Sequence, residues 1–409
     1  MGQKVYVLGG YQTDFGRNWS KENKHIVAMF REAVNGALQS TKVEAKDIEV
    51  AHVGNFAAEL YAMQGHLGAF FLEADPAFAG LPTYRHEAAC ASGSISILAA
   101  SAEIEAERYE VACVLGVEQM KTVPSKIGGD YLGTAAWYDL EAKGIEFPFP
   151  KLFGKLGDEY DKRYGLKSEH LAGISAINYA NAKLNPNAQT RTWYMNLSQA
   201  NSKDDTNSVI GGMIRLSDCS QVTDGAAAII LASEKYATKY AKKHGLNLKD
   251  IPYIKGWGHH TSFIRFEDKV AESKDNPYIL PHVRQTALDA MKRAKIADVS
   301  GLDGLETHDC FTTSEYMAID HFGLTKPGES WKAVENGTIA LDGKFPINPS
   351  GGLIGAGHPV GATGVRQALD AYKQVTGTAE DYQVKGAKNF ATLNIGGSGT
   401  TSVSLIIGR

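Results

Sequence analysis

Cysteine is scarce in this chain of 409 residues, which holds only Cys90, Cys113, Cys219 and Cys310. No two of them form a CxxC pair and their spacings are wide, which argues against a disulfide framework and fits a reducing compartment. No run approaches the roughly 18 apolar residues of a membrane span. One-signed charge is missing as well: a formal net charge of -4 without a long like-charge block leaves no electrostatic footprint for nucleic acid or a membrane surface, although it admits a small anionic ligand. The opening MGQKVYVLGG reads as entry into a strand rather than a signal peptide, and the closing SLIIGR is neither a peroxisomal tripeptide nor a prenylation box, so a cytoplasmic protein is expected.

What is present is an α/β pattern. Short apolar runs bounded by glycine read as buried strands: KVYVLGG, IEVAHVGN, YEVACVLGVE, DGAAAIILAS, GLETHDCF and GTTSVSLIIG. Helical patterns lie between several of them. After Cys90, the residues Ile95, Leu98, Ala99, Ala102 and Ala106 predict one helix face, and TTSE at Thr312 to Glu315 has the spacing of a capping box. Two echoes suggest an internal duplication: VGNFAAELYAM with LETHDCFTTSEYMAI, and DGAAAIILAS with GGSGTTSVSLIIG. Between Met120 and about Asp205 the pattern gives way to Gly, Pro, aromatic and basic residues over a stretch too long for a bare loop, which predicts an inserted subdomain with a helix around SEHLAGISAINYANAKL. Its Lys121, Lys126, Lys151, Lys155, Arg163 and Lys167 form either a phosphate-binding set or a solvated basic face.

Cys90 sits among small residues at an expected helix start, where N–H dipoles favour thiolate over thiol. A lone cysteine is more often a packed structural thiol, so Cys90 needs partners. Candidates are His308 and Cys310, two residues apart and thus on one side of an extended segment, and His358 in a glycine-rich loop. A histidine within reach could take the thiol proton. Cys113 reads as a core-strand residue and Cys219 as structural. HDC alone is too sparse for a zinc site, and GAGHPVGATG does not fit a dinucleotide-binding GxGxxG.

The motifs EAACASGS, GVEQM, HDCF, NPSGGLIGAGHPVGATG and NIGGSGTT occur in an order, over nearly the whole chain, that resembles the thiolase family, and more closely its sterol carrier protein-type and archaeal acetoacetyl-CoA branches. The resemblance implies an αβαβα layering of two duplicated mixed-sheet halves, with 1–119 and 206–250 as the N-terminal half, 120–205 as the inserted loop subdomain and 251–409 as the C-terminal half. It implies Cys90 as acyl-accepting nucleophile, His358 as its activator, and His308 in the place of an asparagine that binds an oxyanion-hole water. The N–H groups of Cys90 and Gly396 are the implied donors to the acyl oxygen. Asn394 stands where the classical branch carries its acid/base cysteine, so that role falls by resemblance to Cys310.

Implied with these are acyl-CoA substrates, CoA as substrate or product with no bound cofactor or metal, a homodimer or homotetramer, and for some relatives a small OB-fold partner. A decarboxylating ketosynthase, a thiolase-like aldolase and a non-catalytic acyl-CoA-binding scaffold are the alternatives.

Overall fold

The computed structural model describes residues 3–409. Its strands are β1 (Val5–Gln12), β2 (Val50–Gly54), β3 (Thr83–His86), β4 (Val111–Glu118), β5 (Val209–Gly211), β6 (Ile214–Arg215), β7 (Gly225–Ser233), β8 (Tyr253–Thr261), β9 (Gly304–Thr307), β10 (Asn389–Gly396) and β11 (Thr401–Gly408). The principal helices are α1 (Ile26–Thr41), α2 (Ser92–Glu105), α3 (Pro148–Tyr164), α4 (Ser168–Ala182), α5 (Glu234–His244), α6 (Pro281–Ala294), α7 (Thr312–His321) and α8 (Thr363–Thr376).

The strand order β3-β2-β4-β7-β1-β8-β11-β10-β9 contains one plan twice. In the first half β3, β2 and β4 run parallel, and β7 and β1 continue antiparallel. In the second, Ile347 bridges β9 in parallel, β9 pairs in parallel with β10, and β11 and β8 continue antiparallel. The two halves meet edge to edge at a single register pair, Tyr6 with Tyr253. The sequence echoes are explained by this correspondence: β2 matches β9, each followed by a helix, and β7 matches β11.

Three apolar clusters fill the layers. The first lies between α1 and one face of the N-terminal strands, through Phe30, Val34 and Ile230. A second lies around α6 and α7, through Val283, Met317 and Leu393. The central one holds α2 against α8 between the two halves, through Ile97, Ala100, Val365 and Leu369. This central position corrects the expected face of α2. Ile97, Ala100 and Ile104 are fully buried together with Ser92, Ser94 and Ser96, whereas Ile95 and Leu98 are only partly so, because the helix is covered on more than one side.

Small residues permit the close approach of these layers. A Cβ on Gly93, in the first turn of α2, would stand 2.8 Å from the Gly361 carbonyl oxygen of the opposite half. The excursion between β4 and β7 contains α3 and α4, the latter over the stretch predicted to be helical. It runs on through the β5–β6 hairpin, which packs on α3. No helix among the described residues is long and apolar enough to cross a membrane.

Candidate active site

The turn between β3 and α2 presents Cys90. Ala89 adopts a left-handed conformation, φ 50°, which is uncommon outside glycine and marks a backbone held in place by its surroundings. Ser92 supplies that hold: its hydroxyl donates to the Ala89 carbonyl at 2.6 Å and accepts from the Ala88 N–H at 2.9 Å. The main-chain N–H groups of Gly397 and of Cys90 itself approach the sulfur and favour thiolate. Gly396, the expected donor to the acyl oxygen, closes β10 opposite Thr401, and the next residue, Gly397, lines the cavity and directs its N–H at the thiol.

Burial outweighs these N–H groups. Desolvation, followed by the nearby Glu118 carboxylate, pushes the Cys90 thiol up to about 12. The N–H groups at the helix start thus act in the expected direction, but burial and the Glu118 charge outweigh them and favour the thiol.

His358 follows Gly357, whose φ of 112° only glycine adopts readily. Its main-chain N–H donates to Thr223 Oγ1 at 2.9 Å, and its ring Nδ1 lies 2.7 Å from Thr363 Oγ1. The Thr363 hydroxyl donates to the Pro359 carbonyl at 3.1 Å, so it accepts from Nδ1–H and leaves the Nε2 lone pair free. Burial, reinforced by the Arg366 guanidinium, lowers the His358 imidazolium to about 3. A neutral base therefore stands beside a neutral thiol.

His308 and Cys310 arrive together from the end of β9. One donor atom each from Cys90, His308 and His358 lie within 4.8 Å of one another, and the two imidazoles meet edge to face at a centroid distance of 5.2 Å. This is a metal-like spacing that the sparse HDC motif alone did not reveal. His308 is also held neutral, by burial first and then by His358 and Arg366. Cys310 borders the same cavity as Cys90, and its thiol is pushed far up by burial and then by Cys90.

Between His308 and Cys310, Asp309 caps the short helix Gly352–Ala356. Leu353 N–H donates to it at 2.6 Å and Ile354 N–H at 3.2 Å. The capping box expected at Thr312–Glu315 is absent: α7 has no side-chain cap, and the Glu315 carboxylate instead accepts from Asn178 and Asn348. Packing against the inserted segment outcompetes the local motif.

Cys90, Cys310 and His358 open onto a cavity of about 280 Å³ with aromatic and aliphatic walls that include Phe56, Leu132, Phe149, Phe153 and Phe311. Cys219 also borders it, which its reading as a purely structural residue did not anticipate. The basic residues of the inserted segment do not gather there as a set. Lys155 pairs with Glu267, Arg163 with Glu159 and two carbonyls, and the Lys121 ammonium donates to the Arg17 carbonyl. Thr363, Thr223, Ser94 and Glu118 escaped the sequence reading, because a single hydroxyl or carboxylate within a glycine-rich or apolar run carries no spacing signal of its own.

A cysteine and a histidine from corresponding turns of a duplicated frame, joined by a second histidine from the end of β9, define an α/β protein equipped for nucleophilic chemistry. Comparison with known proteins gives the family. The description "Thiolase, N-terminal domain" matches residues 5–235 and "Thiolase C-terminal domain-like" matches 267–409, and the chain belongs to the thiolase family. It is 33% identical over 408 residues to an acetyl-CoA acetyltransferase of Methanothermobacter thermautotrophicus, covering 99% of both chains. To human sterol carrier protein 2 it is 29% identical, over 98% of this chain and 72% of that one. Among solved structures it resembles an Ltp2–ChsH2(DUF35) aldolase, with a TM-score of 0.79 at 18% identity over 100% and 98% of the two chains. It also resembles human mitochondrial 3-ketoacyl-CoA thiolase, with a TM-score of 0.70 at 18% identity over 100% and 99%.

Proposed function

We propose that this thiolase-family protein catalyses reversible thiolytic cleavage of 3-oxoacyl-CoA, and the reverse Claisen condensation, through an acyl-Cys90 intermediate. The convergence of Cys90, His308 and His358 within 4.8 Å, with Cys310 on the same cavity wall, carries this reading.

In cleavage, the Cys90 thiol gives its proton to His358 Nε2 as sulfur bonds to the 3-oxo carbon. The carbonyl electrons move onto oxygen, where His308 and main-chain N–H groups stabilise the charge. Collapse breaks the C2–C3 bond, and the departing acetyl-CoA enolate takes the Cys310 proton. The Cys310 thiolate then accepts the proton of incoming CoA, whose sulfur displaces the acyl group. Cys90 leaves as thiolate and recovers its proton from His358. A covalent intermediate thus divides one difficult step into two. With the Cys90 thiol raised and the His358 imidazole lowered, the proton moves during attack rather than before it.

No metal or bound cofactor is needed on this reading, and CoA is the carrier. The free outer edge of β3 supports the implied dimer, since an unpaired strand edge is a template for a second chain. A cytoplasmic location, the three-part division of the chain and a small OB-fold partner belong to the same proposal, the last supported by the DUF35-containing structural neighbour.

That neighbour also favours a second reading, a retro-aldol cleavage. Retention of Cys90 beside a neutral base favours thiolysis, because a retro-aldol step needs no acyl-accepting sulfur. The deciding experiment is CoA-dependent cleavage of acetoacetyl-CoA, with peptide mass analysis for acyl-Cys90 and a parallel assay for aldehyde release from a β-hydroxyacyl-CoA. Turnover with an adduct on Cys90 supports the proposal; aldehyde release without an adduct replaces it.

A further inference from the structure

His308 Nε2 is fully buried and has no hydrogen-bond partner, an arrangement that costs stability unless a ligand completes it. What this nitrogen offers depends on where the ring carries its proton. The other nitrogen, Nδ1, lies 3.3 Å from Asn394 Nδ2, while Asn394 Oδ1 accepts the Ser94 hydroxyl at 2.9 Å. All three residues are buried.

An amide nitrogen can only donate. In the orientation seen, with Oδ1 on the Ser94 hydroxyl and NH₂ toward the ring, Asn394 requires a lone pair on His308 Nδ1 and leaves the proton on Nε2. The neighbouring charge pattern agrees. Thr363 leaves a lone pair on His358 Nε2 in the same pocket, and a second lone pair from His308 would repel it, whereas an N–H complements it. The same proton counts against a metal ion held by these three residues, because a ligating imidazole needs its lone pair there.

We infer that Asn394, hydrogen-bonded to Ser94, is a positioning residue that fixes the Nε2–H tautomer of His308 and so makes that ring a preorganised donor to the oxyanion of the substrate. The inference rests on the proposed thiolysis for the identity of that oxyanion, but not for the placement of the proton. It also gives Asn394, which occupies the place of the classical acid/base cysteine, a task of its own.

The test uses the full-length protein labelled with ¹⁵N at histidine, with His308 assigned by the resonances lost in His308→Asn. Between pH 6 and 8, His308 is expected to show an unprotonated Nδ1 and a protonated Nε2. Asn394→Leu should turn this into a tautomer mixture, and Ser94→Ala should do so partially in a milder variant that keeps the amide. Asn394→Asp, whose carboxylate can only accept, should move the proton to Nδ1.

In parallel, kcat for acetoacetyl-CoA thiolysis should fall about tenfold in Asn394→Leu and about a hundredfold in Asn394→Asp, with KM changed by less than about twofold. Asn394→Asp should regain part of the loss toward pH 5, where a second ring proton restores Nε2–H. A purely structural role would predict none of these tautomer changes. An unprotonated Nε2 in the unaltered protein overturns the inference, as does an unchanged tautomer with unchanged kcat in the folded variants. The expected spectra in a protein without thiolysis would uphold the proton placement and overturn the proposed reaction.

Discussion

Asp309 accepts the main-chain N–H of Leu353 at 2.6 Å, so the middle residue of the HDC triplet caps the helix that leads into the His358 loop. Two motifs more than forty residues apart are thus one structural unit. Gly352 is part of the fit: its φ is 63°, and any Cβ there would collide with the Asp309 carboxylate. Replacement of Asp309 by Ala should cost about 1–3 kcal/mol, the range for leaving buried donors unpaired, and Gly352→Ala should lower the melting temperature comparably. Thermal unfolding by circular dichroism checks both; unchanged midpoints would detach the two motifs.

Removal of the nucleophile separates chemistry from folding. Cys90→Ala should reduce thiolysis by at least about a thousandfold, as loss of a member of a catalytic set does, and abolish the acyl adduct without changing the melting temperature by more than a few degrees. Cys310→Ala should lose about a hundred- to ten-thousandfold, the span of general acid/base catalysis, yet still acquire an acyl group on Cys90 from acetyl-CoA. Steady-state rates and intact-protein mass measure the two effects.

The raised thiol of Cys90 has a kinetic signature. Below its upper value of about 12 the residue is protonated, and the thiolate fraction grows as pH rises. Alkylation of Cys90 by iodoacetamide should therefore quicken by about tenfold per pH unit between pH 6 and 9, since only thiolate reacts. His358, lowered to about 3, remains neutral throughout and adds no step in that window. A rate that is flat above pH 7 would instead reveal a preformed thiolate–imidazolium pair.

Arg366 is fully buried between Glu306 and Asp370, at 3.0 Å from each. Breaking such a pair strands uncompensated charge, so Arg366→Met should cost about 3–5 kcal/mol. Urea unfolding reads this directly; a shift below about 1 kcal/mol would show that the two acids are protonated and need no partner.

The apolar walls of the cavity predict chain-length selectivity. Each added CH₂ buried there is worth about 0.8 kcal/mol, roughly fourfold in kcat/KM, until the space of about 280 Å³ is filled. A graded series of 3-oxoacyl-CoAs should rise and then plateau, and Leu132→Trp should move the plateau to shorter chains.

Much of this was legible in the residues. Six apolar runs became β1, β2, β4, β7, β9 and β11, since valine, isoleucine and alanine bounded by glycine leave little choice but a buried strand. Strand β8 escaped because its Gly256 and Gly258 break the hydrophobic pattern, and they do so because α6 packs directly onto their main chain. Cys90, His308, Cys310 and His358 were singled out by motif, and the fold brings Cys90, Cys310 and His358 to one cavity with His308 close beside Cys90 and His358. What no motif carried was the electrostatics: whether helix-start N–H groups or desolvation governs the Cys90 thiol depends on its burial and on the charge of Glu118 beside it, which are tertiary facts.

The twice-used plan has a historical corollary. Cys90 precedes α2 and His358 precedes α8, and these are corresponding stations of the two halves, each between a parallel edge pairing and the central helix. An ancestor assembled from two identical half-length chains would have presented the same side chain from both sides of its dyad. Halves that differ in sequence, as these two do, can place sulfur at one station and imidazole at the other. The chemical polarity of this centre is therefore a property that the repeated backbone plan permits and that identical halves would forbid.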